Sequence, residues 1–92
     1  MIYKSIYKVP NGKLLKIKLE CDDVKILSIQ ITGDFFSYPE EGIEIIEEEL
    51  KGKKLDENVL LEKIQETISK NEIEFIGLDA KGLTTGIMMC LK

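Results

Sequence analysis

ITGDFFSYPEEGIEIIEEELKG, residues Ile31 to Gly52, is the stretch in which a β-region hands over to a helical one. Ile29 and Ile31 end an alternating run, and Gly33-Asp34 breaks it with two residue types that tolerate unusual backbone conformations. Phe35 and Phe36 follow as adjacent aromatics. Ser37 and Glu40 have the S-x-x-E spacing of a capping box, with Pro39 in what would be the first helical turn. Ile43, Ile46 and Leu50 recur at i, i+3 and i+7, and Gly52 stands where a glycine ends a helix. The spacing therefore predicts a helix over about Pro39 to Lys51. Its outer side carries Glu40, Glu41, Glu44, Glu47 and Glu48, a solvated face whose carboxylates favour the helix N-terminus.

Upstream, the pattern is of period two. Ile2 to Val9 reads as a strand with Tyr3, Tyr7 and Val9 toward the core and Lys4 and Lys8 outward. Pro10-Asn11-Gly12 is a turn in which Gly12 is expected to take the positive φ. Leu15, Ile17, Leu19 and Cys21 alternate with Lys16, Lys18, Glu20 and Asp22, the cleanest strand pattern in the chain. Asp22-Asp23 suits a tight turn. A third strand is expected from Val24 to Thr32, with Leu27, Ile29 and Ile31 inward. Together these form an antiparallel meander with one apolar face.

Downstream, Asp56 is a good N-cap for a second helix running to about Lys70, with a buried stripe of Leu60, Leu61, Ile64 and Ile68. Asn71 stops it. Ile73 and Phe75 alternate with Glu72 and Glu74 as a short extended piece. Asp79 caps a third helix carrying Leu83, Ile87 and Leu91, on which Gly82 and Gly86 share one side for close packing. The element order β-β-β-α-α-α, with one short extended piece, implies an α+β fold: a three-stranded antiparallel meander with helices packed on one face. Residues 1–92 read as a single domain, since no linker, repeat or low-complexity segment divides them.

GDFFSYPE, the acidic helix after it and LKGKKLDENVLLEKI make the chain similar to the C-terminal accessory domain of lipoate–protein ligases. KVPNGKLLKIKLE resembles that domain's opening hairpin, and IEFIGLDAKGLTTGI its last segment. The resemblance runs from about Tyr7 to the end. Because the chain starts at Met1 and holds little else, it resembles the form in which this domain is a separate small subunit. The resemblance implies a fold like that of sulfur-transfer and iron–sulfur scaffold proteins. It implies a non-catalytic role beside a catalytic ligase subunit, in a heterodimer that activates lipoate with ATP to lipoyl-AMP. The lipoyl group then passes to a lysine of acceptor proteins, which this chain meets only indirectly. Lipoate and ATP belong to the complex; no cofactor is expected on this chain alone.

The composition agrees with such a role. The chain has 92 residues, 43% apolar and 33% charged, with a net charge of -4 and a pI near 4.9. All 13 basic residues are lysine, so bidentate arginine clamps on phosphate or carboxylate are missing. Nucleic-acid binding would have to overcome the acidic balance and is not expected. There is no histidine, so neither a Ser–His nor a Cys–His pair can form. No glycine-rich phosphate loop is present. The two cysteines, Cys21 and Cys90, occupy apolar positions and read as buried thiols rather than as a disulfide or a metal site. No apolar run approaches ~20 residues, and MIYKSIYK lacks a signal-peptide core, so the expectation is a cytoplasmic protein that does not cross a membrane.

The residues singled out for contact with a partner, or with the adenylate it holds, are Lys8, Gly12, Lys13, Gly33, Asp34, Phe35 and Phe36. In a meander, the first hairpin tip and the end of the third strand lie at the same end of the sheet. Successive extended residues face opposite ways, so of Phe35 and Phe36 one ring should be core and the other exposed. Two other functions fit the fold class: a sulfur-transfer or iron–sulfur scaffold, which would need an exposed cysteine, and a binding module for another enzyme.

Overall fold

The computed structural model describes residues 1–91. Three strands, β1 (Ile2–Lys8), β2 (Leu14–Cys21) and β3 (Ile26–Gly33), form an antiparallel sheet in the order β1-β2-β3. A second sheet pairs β4 (Phe36–Tyr38) with β5 (Glu74–Ile76), also antiparallel. The helices are α1 (Gly42–Leu50), α2 (Glu57–Lys70) and α3 (Ala80–Met89). α1 packs on β3, α3 packs on β1 and β2, and α2 packs against both α1 and α3. The fold is α+β, with all three helices to one side of the meander. No helix among the described residues is long and apolar enough to cross a membrane.

The core is built on the inner row of β2. Leu15, Ile17, Leu19 and Cys21 are buried, as are Ile29 and Ile31 of β3. From the helices come Ile46, Leu50, Leu60, Ile64, Leu83 and Ile87, each fully buried. Gly82 and Gly86 let α3 approach the sheet closely. A Cβ on Gly82 would come within 2.9 Å of Val9, and one on Gly86 within 2.9 Å of Ile17. Ser5 on β1 donates to the Gly86 carbonyl at 3.0 Å, and the Cys90 thiol donates to the Ser5 hydroxyl at 3.2 Å. The buried hydroxyls of Thr67 and Thr84 are satisfied within their own helices, by the carbonyls of Lys63 and Ala80.

The caps of α2 and α3 follow the sequence reading. Asp56 accepts from the N–H groups of Asn58 and Val59, and Asp79 from that of Gly82. The start of α1 does not. No capping box forms: α1 begins at Gly42, and Ser37 lies in β4, where its hydroxyl donates to the Pro39 carbonyl at 2.6 Å. Pro39 precedes the helix rather than filling its first turn. Ladder pairing of Phe36, Ser37 and Tyr38 with β5 engages the backbone that a longer helix would have used.

Four further expectations are corrected. The third strand starts at Ile26, because the Asp22 carboxylate accepts from the N–H groups of Lys25 and Val24 and draws residues 22–25 into the turn. Those two N–H groups hold the Asp22 carboxyl below the usual range. A register irregularity at Glu20/Cys21 then puts Ile26 inside, and Leu27 faces solvent, 46% exposed. In the first turn Asn11, not Gly12, has the positive φ, at 58°. Leu91 lies on the outside of its segment, while Cys90 turns inward.

Glu47 fastens α1 to the edge of β3. Its carboxylate accepts from the Ile31 N–H at 2.7 Å, satisfying a donor that has no neighbouring strand. Burial raises the Glu47 carboxyl above its usual range, against the opposing effect of the Ile31 hydrogen bond. Since the folded state holds this proton more tightly than the unfolded chain, stability from the protonated group is full below the unfolded pKa and is lost as pH rises through the folded one. We predict that Glu47→Gln, which keeps an acceptor for Ile31, flattens the stability–pH curve just above pH 4.5, the ordinary value of this group. Urea unfolding midpoints of both proteins across pH 4 to 7 test this; an unchanged slope contradicts it.

Candidate functional site

One end of the sheet gathers most of the residues singled out in the sequence. The β1–β2 hairpin closes with Val9 N–H donating to the Lys13 carbonyl at 3.0 Å and Gly12 N–H to the Val9 carbonyl at 2.8 Å. The tip rests on the turn after β5: the Lys13 N–H donates to the Gly77 carbonyl at 2.9 Å. A Cβ on Gly12 would meet that same carbonyl oxygen at 2.6 Å. Gly77 has φ +88°, and a side chain there would collide with the Lys13 stem. The need for glycine at Gly12 thus comes from a contact with a segment far along the chain, and at Gly77 from its own positive φ.

The end of β3 joins the same region through backbone. Gly33 lies opposite Leu15, and its missing side chain leaves room for the Leu14 carbonyl. The Asp34 N–H donates to that carbonyl at 3.3 Å, while the rest of Asp34 is exposed. Phe35 turns inward and meets Phe75 edge-to-face, with ring centroids 6.1 Å apart. Phe36 turns outward and is 68% exposed. Lys8 ends β1 on the solvent side, paired with Leu14.

Two exposed residues escaped the sequence reading. Phe36 pairs directly with Ile76, which is also 68% exposed, and Tyr38 on the same strand is 76% exposed. Ile76 shares its phase with Glu74 rather than with Ile73 and Phe75, so its outward position could have been found from alternation alone. Tyr38 was hidden by the mistaken capping box. Beside the hairpin, between the end of β1 and the start of α3, lies a cleft of about 250 Å³ lined by Tyr7, Pro10, Asp79, Lys81 and Thr85.

This arrangement can present an apolar surface and point charges. Asp79 is engaged as the α3 cap, and the lysines at the hairpin have no base or nucleophile beside them in the ion pairs and hydrogen bonds of the described residues. Both thiols are buried, Cys21 at 1% and Cys90 at 4% exposure, and burial pushes the Cys90 thiol up, away from the thiolate form.

A family model described as the C-terminus of bacterial lipoate protein ligases matches residues 3–85. The chain belongs to this family. A curated relative, lipoate-protein ligase A subunit 2 of Thermoplasma acidophilum, is 36% identical over 56 residues, which are 61% of this chain and 58% of the relative. The match thus spans less than two-thirds of that relative's length. A solved chain from the bi-partite lipoate protein ligase of the same organism, in a study that includes its E2 lipoyl domain, has the same fold. The TM-score is 0.83 over 95% of this chain and 94% of that one, at 24% identity. In this lipoate protein ligase C-terminal domain, the hairpin tip, the β3 end and the β4–β5 pair form one continuous end of the molecule.

The two adjacent phenylalanines should separate packing from surface. We predict that Phe35→Ala costs roughly 2 kcal/mol, about half the loss at a fully buried phenylalanine. Phe36→Ala should stay within about 0.5 kcal/mol of wild type. Denaturant melts of both variants measure this; equal losses would contradict the assignment.

Proposed function

We propose that the chain is the non-catalytic accessory subunit of a two-part lipoate–protein ligase. It binds a separate catalytic subunit as a heterodimer in the cytoplasm, and the complex converts lipoate and ATP to lipoyl-AMP and pyrophosphate before lipoyl transfer to an acceptor lysine. The observation that carries this reading is the family match across residues 3–85 in a chain that has no histidine and no arginine. A family domain without histidine for acid–base pairs or arginine for bidentate phosphate clamps is suited to holding another subunit in a competent state. Its effect is then a population shift: it favours the arrangement of the catalytic subunit that adenylates lipoate, by binding that arrangement more tightly than others. ATP and lipoate are held by the catalytic subunit.

The surface proposed to face that subunit comprises Lys8, Gly12, Lys13, Gly33, Asp34, Phe35 and Phe36. Phe36, with Ile76 and Tyr38 around it, supplies the apolar anchor that a stable interface needs at its centre. Lys8 and Lys13 supply positive charge toward a carboxylate of the partner or toward the adenylate. Phe35 and the glycines shape the surface rather than touch the partner.

The purified chain alone should release no pyrophosphate from ATP with lipoate, and adding the catalytic subunit should restore the reaction. Lipoate-dependent pyrophosphate release by this chain alone would overturn the reading. Lys13→Glu and Asp34→Lys, made separately, should each weaken binding to the catalytic subunit and lower lipoyl-AMP formation; wild-type behaviour of both folded variants would move the interface elsewhere. Replacing Cys21 and Cys90 together by Ala should lower stability yet leave complementation intact, whereas a folded double variant without function would favour sulfur chemistry.

A further inference from the structure

The face of the meander turned away from the helices is open and basic. Ile2, Lys4, Ile6 and Lys8 of β1 and Lys16, Lys18 and Glu20 of β2 all point outward. The register places Lys4 directly opposite Lys18, Ile6 opposite Lys16, and Lys8 opposite Leu14. On β3, Gln30 lies beside Lys18 and Thr32 beside Lys16. Glu20 sits at the far end, where its carboxylate accepts from Ser28; Asp34 follows β3 at the hairpin end. No carboxylate stands between them on these strands.

Three features set this face apart. First, the ion pairs of the described residues, Lys51–Glu48, Lys63–Glu49 and Lys63–Glu66, all lie on α1, α2 and the segment after α1, so none of Lys4, Lys8, Lys16 and Lys18 is ion-paired within 4.0 Å among the described residues. Second, like charges directly opposite in a ladder destabilise it, and Lys4 with Lys18 is such a pair in a chain of net charge -4. Third, Ile2 and Ile6 are 59% and 68% exposed among the lysines, giving the patch an apolar component that water does not favour. An anionic surface laid on this face would relieve the repulsion and cover both isoleucines.

We infer that this open sheet face docks on an acidic surface of the catalytic ligase subunit, with Lys4, Lys8, Lys16 and Lys18 meeting its carboxylates. The inference rests on the accessory-subunit reading and extends the surface proposed there, with which it is continuous through Lys8. The choice of an acidic protein over a nucleic acid follows from the lack of arginine and from the inward position of Tyr3 and Tyr7, which leaves no ring on this face for a base to stack on. The lysines act mainly on encounter: complementary fields raise association rates and are screened by salt.

The test is association of the purified chain with its cognate catalytic subunit, measured by stopped flow from 20 to 500 mM NaCl. Lys18→Glu is the main variant, because it places a carboxylate opposite Lys4 and so favours the fold. Lys4→Glu is its counterpart, and Lys54→Glu in the α1–α2 connection is the control. We expect each sheet variant to slow association roughly tenfold at low salt, with the difference fading at high salt and the control unaffected. Equal rates and equal salt dependence in wild type and Lys18→Glu would overturn the inference while leaving the accessory-subunit reading intact. Failure of the wild-type chain to bind the catalytic subunit would overturn both. Tight binding of a single-stranded oligonucleotide at 150 mM salt, or self-association abolished by Lys18→Glu, would assign the face to another occupant and overturn it as well.

Discussion

The burial of the inner row of β2 is the constraint on which the rest of the molecule depends. Leu15, Ile17, Leu19 and Cys21 lie in the middle strand, between β1 and β3 and under the helices. A small sheet of this kind can bury only one face, so every helix must converge on it. α3 meets the requirement through Gly82 and Gly86, which bring its backbone down to Val9 and Ile17. The tie from Cys90 through Ser5 to Gly86 then holds α3 against β1 without leaving a buried polar group unpaired.

Polar contacts fix what apolar burial leaves adjustable. Hydrophobic packing is non-directional, whereas the Glu47 carboxylate at the Ile31 N–H sets the position of α1 along β3. The Lys13 and Asp34 N–H groups do the same at the other end, joining the hairpin to the Gly77 turn and the end of β3 to Leu14. That end is held by backbone bonds between segments distant in sequence, so its shape is not left to mobile side chains. Phe36, Ile76 and Tyr38 are consequently presented on a fixed frame. Such pre-ordering lowers the cost of binding a partner.

Charge is distributed unevenly over this frame. The outer side of α1 is rich in glutamate, and the open sheet face is rich in lysine. This domain of the lipoate protein ligase C-terminal family thus combines separated charge with an apolar end.

The sequence by itself determined the elements whose signals are local. Alternation placed β1 and β2, Asp56 and Asp79 announced their helices, and the spacing of Gly82 and Gly86 marked a packed side. The grouping of the hairpin with Gly33–Phe36 was also legible, because meander topology puts both at one end. The opposite facing of Phe35 and Phe36 followed from the geometry of an extended chain. What only the tertiary structure decided are the features whose partners lie far along the chain. Ser37 pairs with Phe75, so a local capping pattern gave way to a ladder. Leu27 turns outward because it is the extra, unpaired residue of β3 where consecutive Glu20 and Cys21 face Ser28 and Ile26. Gly12 reads as an ordinary turn glycine, yet its need for glycine comes from the Gly77 carbonyl far along the chain. Lys4 and Lys18 became a pair only when β1 and β2 acquired a register. Periodicity and capping record what a residue does with its near neighbours, whereas strand pairing is a choice among distant partners that the collapse of the whole chain makes.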